Sequence, residues 1–74
     1  MDADASILAV LGAADEPLHW TVIQDRALKD GSLDPFVTPD VRGEVLSALR
    51  ALVERGAIER VGKGTYRLAA PQRR

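Results

Sequence analysis

The chain has 74 residues, which limits it to one domain, and a domain of this size buries only about 60% of its unfolded surface. It contains no cysteine and a single histidine, His19, which excludes disulfide bridges and metal sites built from thiolates or several imidazoles. No apolar run approaches the ~20 residues of a membrane span, and the acidic start "MDADAS" is unlike a secretory leader, so we expect a cytoplasmic protein without a membrane partner.

The net charge of −1 conceals two halves of opposite sign. Residues 1–40 carry eight acidic and two basic side chains, a net −6, whereas residues 41–74 carry eight basic and three acidic side chains, a net +5. This asymmetry indicates an acidic partner for the C-terminal half. The alternative is that the two halves attract each other within the fold.

The first predicted element is a helix, and Asp2 or Asp4 is placed to cap its first turn. We expect the helix to end before "DEP", residues 15–17, because a proline disfavours helical geometry in the residue that precedes it. The next stretch, "PLHW" at residues 17–20, then reads as a short extended segment. The apolar stripe of the helix consists of Ile7, Val10, Leu11 and Ala14, with Leu8 at its edge.

The second helix is predicted to run from Thr21 to about Lys29. Thr21 and Gln24 have the spacing of a capping box, in which each side chain accepts a hydrogen bond from the other residue's backbone N–H. Asp30 and Gly31 provide the end of this helix, because glycine readily adopts the left-handed conformation that follows a helix.

The segment "GSLDPFV", residues 31–37, shows no period and is predicted to be a loop. Leu33 and Phe36 are its large apolar residues, and we expect both to pack against the edge of the core. After this loop, Thr38 is predicted to cap the third helix, with Pro39 at the first helical position, where an N–H group would have no partner in any case.

The third helix is the longest predicted element, and Gly56 provides its end. Its apolar stripe consists of Val41, Val45, Leu46, Leu49, Leu52 and Val53. The strand-like runs "AIERV" and "TYRL" follow and flank "GKG", whose glycines supply the positive φ of a tight hairpin. This turn does not indicate a phosphate-binding loop, because no helix follows it. Residues 71–74 are predicted to form a disordered basic tail.

The stretches "PLHWTVIQDRALKDG" and "TPDVRGEVLSALRALVERGAIERVGKGTYRL" resemble the HARE-HTH type of winged helix-turn-helix domain over about residues 5 to 69. That family includes the N-terminal domain of the RNA polymerase delta subunit and modules of chromatin proteins and restriction enzymes. The resemblance implies an α+β fold with three helices, a small antiparallel sheet and a C-terminal β-hairpin wing. It also implies that residues 1–70 form a single winged-helix domain.

In winged-helix proteins that bind DNA, the hairpin lies along the phosphate backbone, so the resemblance implies duplex-DNA binding in transcription regulation. The third helix would then be the recognition helix. Arg50 on its exposed face is the best candidate to read a base, because a guanidinium pairs bidentately with guanine. Lys63 at the hairpin tip is expected to contact phosphates, which position a protein without reading sequence. The candidate DNA-contacting residues are Arg42, Ser47, Arg50, Arg60, Lys63 and Arg67.

Other features of the sequence have two interpretations. An alternative interpretation of the hairpin is a solvent-exposed surface element whose edge strand uses charge to avoid aggregation. His19 and Trp20 offer a stacking pair for a base, but we expect Trp20 in the core between the first and third helices and His19 in water. Asp40 and Glu44 put negative charge at the start of the third helix, which suits the helix dipole but opposes phosphate binding.

These carboxylates and the acidic N-terminal half favour an alternative function, a protein-interaction adaptor that binds, for example, transcription machinery. Its protein partner would contact the acidic N-terminal half. The sequence contains no catalytic constellation and no metal-ligand spacing, so we expect neither an enzyme nor a cofactor.

Overall fold

The computed structural model describes residues 2–69 of the chain. In chain order it contains α1 (Ala3–Ala13), β1 (Leu18–His19), α2 (Trp20–Lys29), α3 (Val41–Arg55), β2 (Ile58–Gly62) and β3 (Thr65–Leu68). Three helices and a three-stranded antiparallel sheet confirm the predicted α+β class. The predicted tail, residues 71–74, lies outside the described residues.

Several helix ends lie where the sequence predicts them. The Asp2 carboxylate caps α1 and accepts a hydrogen bond from the Ala5 N–H at 2.8 Å, which confirms one of the two predicted caps. Gly31 and Gly56 follow α2 and α3 with φ of 81° and 79°, as the predicted helix ends require.

The start of α2 differs from the prediction, because its cap is His19 rather than Thr21. His19 pairs with Thr65 as the last residue of β1, so its backbone is extended at φ −69° and ψ 150°. The Nδ1 atom of His19 accepts a hydrogen bond from the Thr21 N–H at 3.3 Å. The predicted capping box at Thr21 was therefore wrong, since strand pairing decides where the chain enters this helix.

The start of α3 also differs, because its cap is Asp40. The Asp40 carboxylate accepts a hydrogen bond from the Gly43 N–H at 3.1 Å. Thr38 belongs to the preceding turn, in which its own N–H donates to the Asp34 carbonyl at 2.8 Å. The predicted start, with Thr38 as the cap and Pro39 at the first helical position, was therefore wrong.

The core lies between the helices and one face of the sheet. Leu33 from the loop before α3 is buried in it, as predicted, whereas Phe36 is 95% exposed and its predicted core position was wrong. The Asp34 carboxylate accepts a hydrogen bond from the Phe36 N–H at 2.8 Å, and the resulting turn directs the phenyl ring away from the core. The buried apolar residues are Ile7, Val10, Leu11, Leu18, Ile23, Ala27, Leu33, Val45, Ala48, Leu49, Leu52 and Ile58.

The strand order is β1-β3-β2, so β3 is the central strand. β2 and β3 form the predicted hairpin, with Lys63 and Gly64 in its turn. Arg60 lies opposite Tyr66, and Glu59 lies opposite Arg67. Because successive side chains of a strand point to opposite faces, Arg60 and Tyr66 share one face of the sheet and Glu59 and Arg67 share the other.

Candidate nucleic-acid interface

The solvent side of α3 combines polar and aliphatic groups. Ser47 and Arg50 are exposed there. Leu46 and Val53 flank them at the edges of the predicted apolar stripe, and each is 37% exposed rather than buried. Leu46, Ser47 and Arg50 line a shallow groove of about 260 Å³. A flat ligand surface laid on this face would therefore meet one arginine between two aliphatic side chains.

A second groove, here named the arginine groove, lies between α3 and the β2–β3 hairpin and has a volume of about 350 Å³. Arg50, Val53 and Glu54 line it from α3, and Arg60 and Tyr66 line it from the hairpin. Arg60 and Tyr66 reach it together because they lie opposite each other on the same face of the sheet. Helix–sheet packing thus brings Arg50 and Arg60, two of the predicted DNA-contacting residues, to one site.

The hairpin turn is anchored against the residues that link β1 to α2. The Gly64 carbonyl accepts a hydrogen bond from the Trp20 N–H at 2.8 Å. Gly64 has a φ of 71°, and a Cβ at this position would lie 2.8 Å from Nε2 of His19 and 3.1 Å from Cδ1 of Trp20. Lys63 remains exposed beside this contact. The turn is therefore held in place, while its lysine is available to a partner.

Trp20 also contacts the first turn of α3. The Arg42 guanidinium carbon lies 5.5 Å from the centroid of the Trp20 ring, within the range of a cation–π interaction. Trp20 packs against the core but is only half-buried, so its predicted position inside the core is confirmed in part. His19 is exposed, as predicted. Sequence analysis missed that Trp20 joins the hairpin turn to α3, because that role depends on the pairing of His19 with Thr65.

Arg67 lies apart from the other candidate residues. It forms an ion pair with Glu59 across the β2–β3 hairpin, on the face of the sheet opposite to Arg60 and Tyr66. Its other neighbours include Asp15 and Glu16 in the loop after α1, with which it lines a separate pocket. These carboxylates reduce the positive potential around Arg67, so it contributes little to a surface built on α3.

The first turn of α3 carries the negative charge that the sequence predicts. Glu44 is exposed, and the Asp40 carboxylate covers the backbone of Gly43, where a Cβ would lie 2.1 Å from Oδ2 of Asp40. This carboxylate accepts a hydrogen bond from one of the free N–H groups at the helix start, and such groups otherwise attract anions. An anion at the free N–H groups of the helix start would therefore meet this carboxylate, whereas the Arg42 side chain of the same turn is exposed.

Ion pairing leaves most of the candidate cations available. Within residues 2–69 the ion pairs are Lys29–Asp25, Arg55–Asp4 and Arg67–Glu59. Only Arg55–Asp4, at 3.2 Å, joins the acidic half of the chain to the basic half. The candidate residues that form no ion pair in the described part of the chain are Arg42, Arg50, Arg60 and Lys63.

Comparisons of the chain with protein-family models, with curated proteins and with solved structures found no match. None of the helices within residues 2–69 is long and apolar enough to cross a membrane. The same residues contain no cluster of three or more histidine or carboxylate side chains arranged to hold a metal ion.

Proposed function

We propose that this chain is a winged helix-turn-helix protein that binds duplex DNA in transcription regulation, through α3 and the β2–β3 hairpin. The order of elements supports this proposal, because α3, the longest helix, is followed directly by a β-hairpin. Fold alone does not decide function, so the proposal depends on the side chains of this surface.

The observation that carries the proposal is the arginine groove. Arg50 and Arg60 meet there without an ion pair to a carboxylate among the described residues, although Glu54 lies in the same groove. A guanidinium group without a carboxylate partner keeps its full charge for a phosphate or a base edge. Arg60 donates its Nε–H to the Gly62 carbonyl at 3.1 Å, which leaves its terminal N–H groups for a ligand. Lys63 in the turn extends the positive surface.

The geometry suggests different roles for these cations. Arg50 lies on the exposed face of α3, so it is placed to pair with guanine if that face enters the major groove. Arg60 and Lys63 belong to the hairpin and would contact the phosphate backbone, and Arg42 would do so from beside Trp20. Ser47 supplies a neutral hydrogen-bonding group between Arg42 and Arg50 on the same helix.

Three or four phosphate contacts limit the affinity. The logarithm of the binding constant should fall with the logarithm of salt concentration with a slope of about −0.9 for each phosphate contacted. A slope of roughly −2.7 to −3.6 is therefore expected for one copy of the chain. Binding by a single copy should be weak and strongly salt-dependent.

Two arginine variants test this proposal. Arg50→Ala should weaken binding to a fluorescently labelled duplex by about 10-fold, because it removes a groove contact worth roughly 1–3 kcal/mol. Arg67→Ala is the matched control and should change affinity little, because Arg67 lies on the opposite face and pairs with Glu59. Fluorescence anisotropy measures both. Equal losses for the two variants would place the contact surface elsewhere.

The alternative function, a protein-interaction adaptor, is supported by the charge that remains unneutralised in the N-terminal half. Only one ion pair of the described residues joins this half to the basic half. Exposed acids such as Asp15 and Glu16 therefore face solvent and are available to a basic partner. Under this alternative, reversing the charge of Asp15 and Glu16 should disrupt the complex with that partner, whereas Lys63→Glu should not.

A further inference from the structure

The loop between α2 and α3 presents an apolar knob, which consists of Phe36 and Val37. These side chains are 95% and 78% exposed, more than any other large apolar residue of the described chain. Hydrogen bonds to Asp34 form the turn that exposes these side chains. The Phe36 N–H donates to the Asp34 carboxylate. The Val37 and Thr38 N–H groups donate to the Asp34 carbonyl at 3.0 and 2.8 Å. A phenyl ring that a hydrogen-bonded turn keeps exposed to water indicates an interaction site.

The surroundings of the knob are acidic. Asp30, Asp34 and Asp40 lie in the same loop, and residues 30–41 contain no lysine or arginine. Asp34 is fixed by the turn and Asp40 by its role as the cap of α3. A phosphate backbone or an anionic lipid surface would be repelled here. The complementary surface is a groove that combines cations with some apolar surface.

The chain itself carries such a groove, and we propose that the knob of one copy docks in the arginine groove of a second copy. Val53 and Tyr66 supply apolar and aromatic surface for the phenyl ring, and Arg50 and Arg60 supply the cations. An arginine can lie over the face of Phe36 as well as pair with the carboxylates beside it. Glu54, also in the groove, is the one group there that opposes the acidic loop.

The charge of the whole chain favours the same contact. Residues 1–40 carry a net −6 and residues 41–74 a net +5, and only the Arg55–Asp4 pair joins the two halves within the described residues. Two copies can therefore place the acidic half of one against the basic half of the other. High salt should weaken this attraction, because the charges involved are exposed to solvent.

The knob and the groove are different surfaces, so the contact is heterologous. Because only the two side chains of the knob enter the groove, the contact should bury little area. Small interfaces of this kind are weak and transient. Association should therefore depend on protein concentration and appear in the millimolar range. The contact does not rest on the proposed DNA function, because it can be measured with no nucleic acid present.

Intermolecular paramagnetic relaxation enhancement tests this contact directly. The chain has no cysteine, so Pro39→Cys gives a single attachment point for a nitroxide beside the knob while leaving Phe36 and Asp34 intact. This spin-labelled chain, without isotopes, is mixed with ¹⁵N-labelled wild-type chain at low salt. The amide signals of Arg50, Val53, Arg60 and Tyr66 in the ¹⁵N-labelled chain should broaden selectively, and raising the salt concentration should reduce the broadening.

Two variants of the spin-labelled chain give the expected and the contradicting results. Phe36→Ser should weaken association ~10-fold or more and remove the broadening, because the ring is the anchor. This substitution leaves the fold intact because Phe36 makes no core contact at 95% exposure. Val22→Ser is the matched control, since Val22 is a partly exposed aliphatic side chain on α2, and it should leave the broadening unchanged. No broadening at millimolar concentration, broadening at another surface, or broadening that survives Phe36→Ser would each overturn the proposal.

Discussion

At the scale of single residues, the hairpin turn depends on Gly64 more than on Gly62. Gly64 has a φ of 71°, and a Cβ at this position would lie 2.8 Å from Nε2 of His19. A Cβ on Gly62 would meet its nearest neighbour, Cβ of Thr65, at 3.8 Å. Gly64→Ala should lower the free energy of unfolding by roughly 1–3 kcal/mol, through backbone strain and displacement of the turn.

Gly62→Ala is the matched control for this prediction. It introduces the same methyl group with only ordinary van der Waals contacts, so its effect should stay within about 1 kcal/mol. Urea denaturation of both variants measures the difference. A loss for Gly62→Ala as large as that for Gly64→Ala would contradict this account of the turn.

The fold lowers the pKa of the Asp30 carboxyl group. The Ser32 hydroxyl, together with the Ser32 N–H that donates to Asp30 Oδ1 at 2.9 Å, holds the pKa of Asp30 below its usual range. A lowered folded-state pKa means that Asp30 stabilises the fold above its unfolded-state pKa. This stabilisation is lost as the pH falls through the folded-state pKa.

Ser32→Ala should therefore raise the pKa of Asp30 toward the value of an unfolded chain, because the hydroxyl contribution is removed and only the N–H remains. Carboxyl ¹³C chemical shifts followed through an acid titration measure this pKa in both proteins. An Asp30 titration that is identical in wild type and Ser32→Ala would show that the hydroxyl does not stabilise the carboxylate.

At the scale of elements, the start of α3 shows how two candidate caps compete. Asp40 caps the helix and Thr38 belongs to the Asp34 turn. Asp40→Ala should lower the free energy of unfolding by about 0.5–2 kcal/mol, the usual cost of losing an N-cap. Thr38→Ala should change it by less than about 0.5 kcal/mol, because its side chain caps nothing. Chemical denaturation that ranks the two variants in the opposite order would restore Thr38 as the cap.

Apolar periodicity predicted the type and order of the elements well, because α1 and α3 each bury one stripe against a shared core. It failed where neighbouring polar groups compete. Asp34 accepts hydrogen bonds from the Phe36, Val37 and Thr38 N–H groups, so Thr38 ends this turn instead of starting a helix. The same turn directs Phe36 away from the core. Periodicity carries no information on which carboxylate or hydroxyl takes a given N–H.

The candidate site could be predicted only for residues on one element. The helical period places Ser47 and Arg50 on the solvent side of α3, where the structure has them. Whether Arg60 and Arg67 share a face depends on the register of the β2–β3 hairpin, and a shift of one strand by one residue would place both on the same face. Sequence alone therefore predicted both arginines as one contact surface, although they lie on opposite faces.

At the scale of the whole molecule, the acidic N-terminal half and the basic C-terminal half form few ion pairs with each other in the described residues. The described residues contain one ion pair between the two halves, Arg55–Asp4, and it lies on the surface, where such pairs contribute little. Folding therefore leaves most of the opposite charges of the two halves without an ion pair between them, so each half can attract a partner of opposite charge. The arginine groove is where positive charge and apolar surface coincide.

The central claim, duplex-DNA binding through α3 and the hairpin, is tested most directly by amide chemical shifts during a titration with duplex DNA. The titration is run at about 20 mM salt and again near 150 mM, because screening separates specific contacts from general attraction. We predict that the amides of Arg50, Arg60 and Lys63 shift together and reach saturation, while Arg67 moves little. Unmoved amides at low salt, or small shifts spread evenly over every basic residue, would contradict the claim.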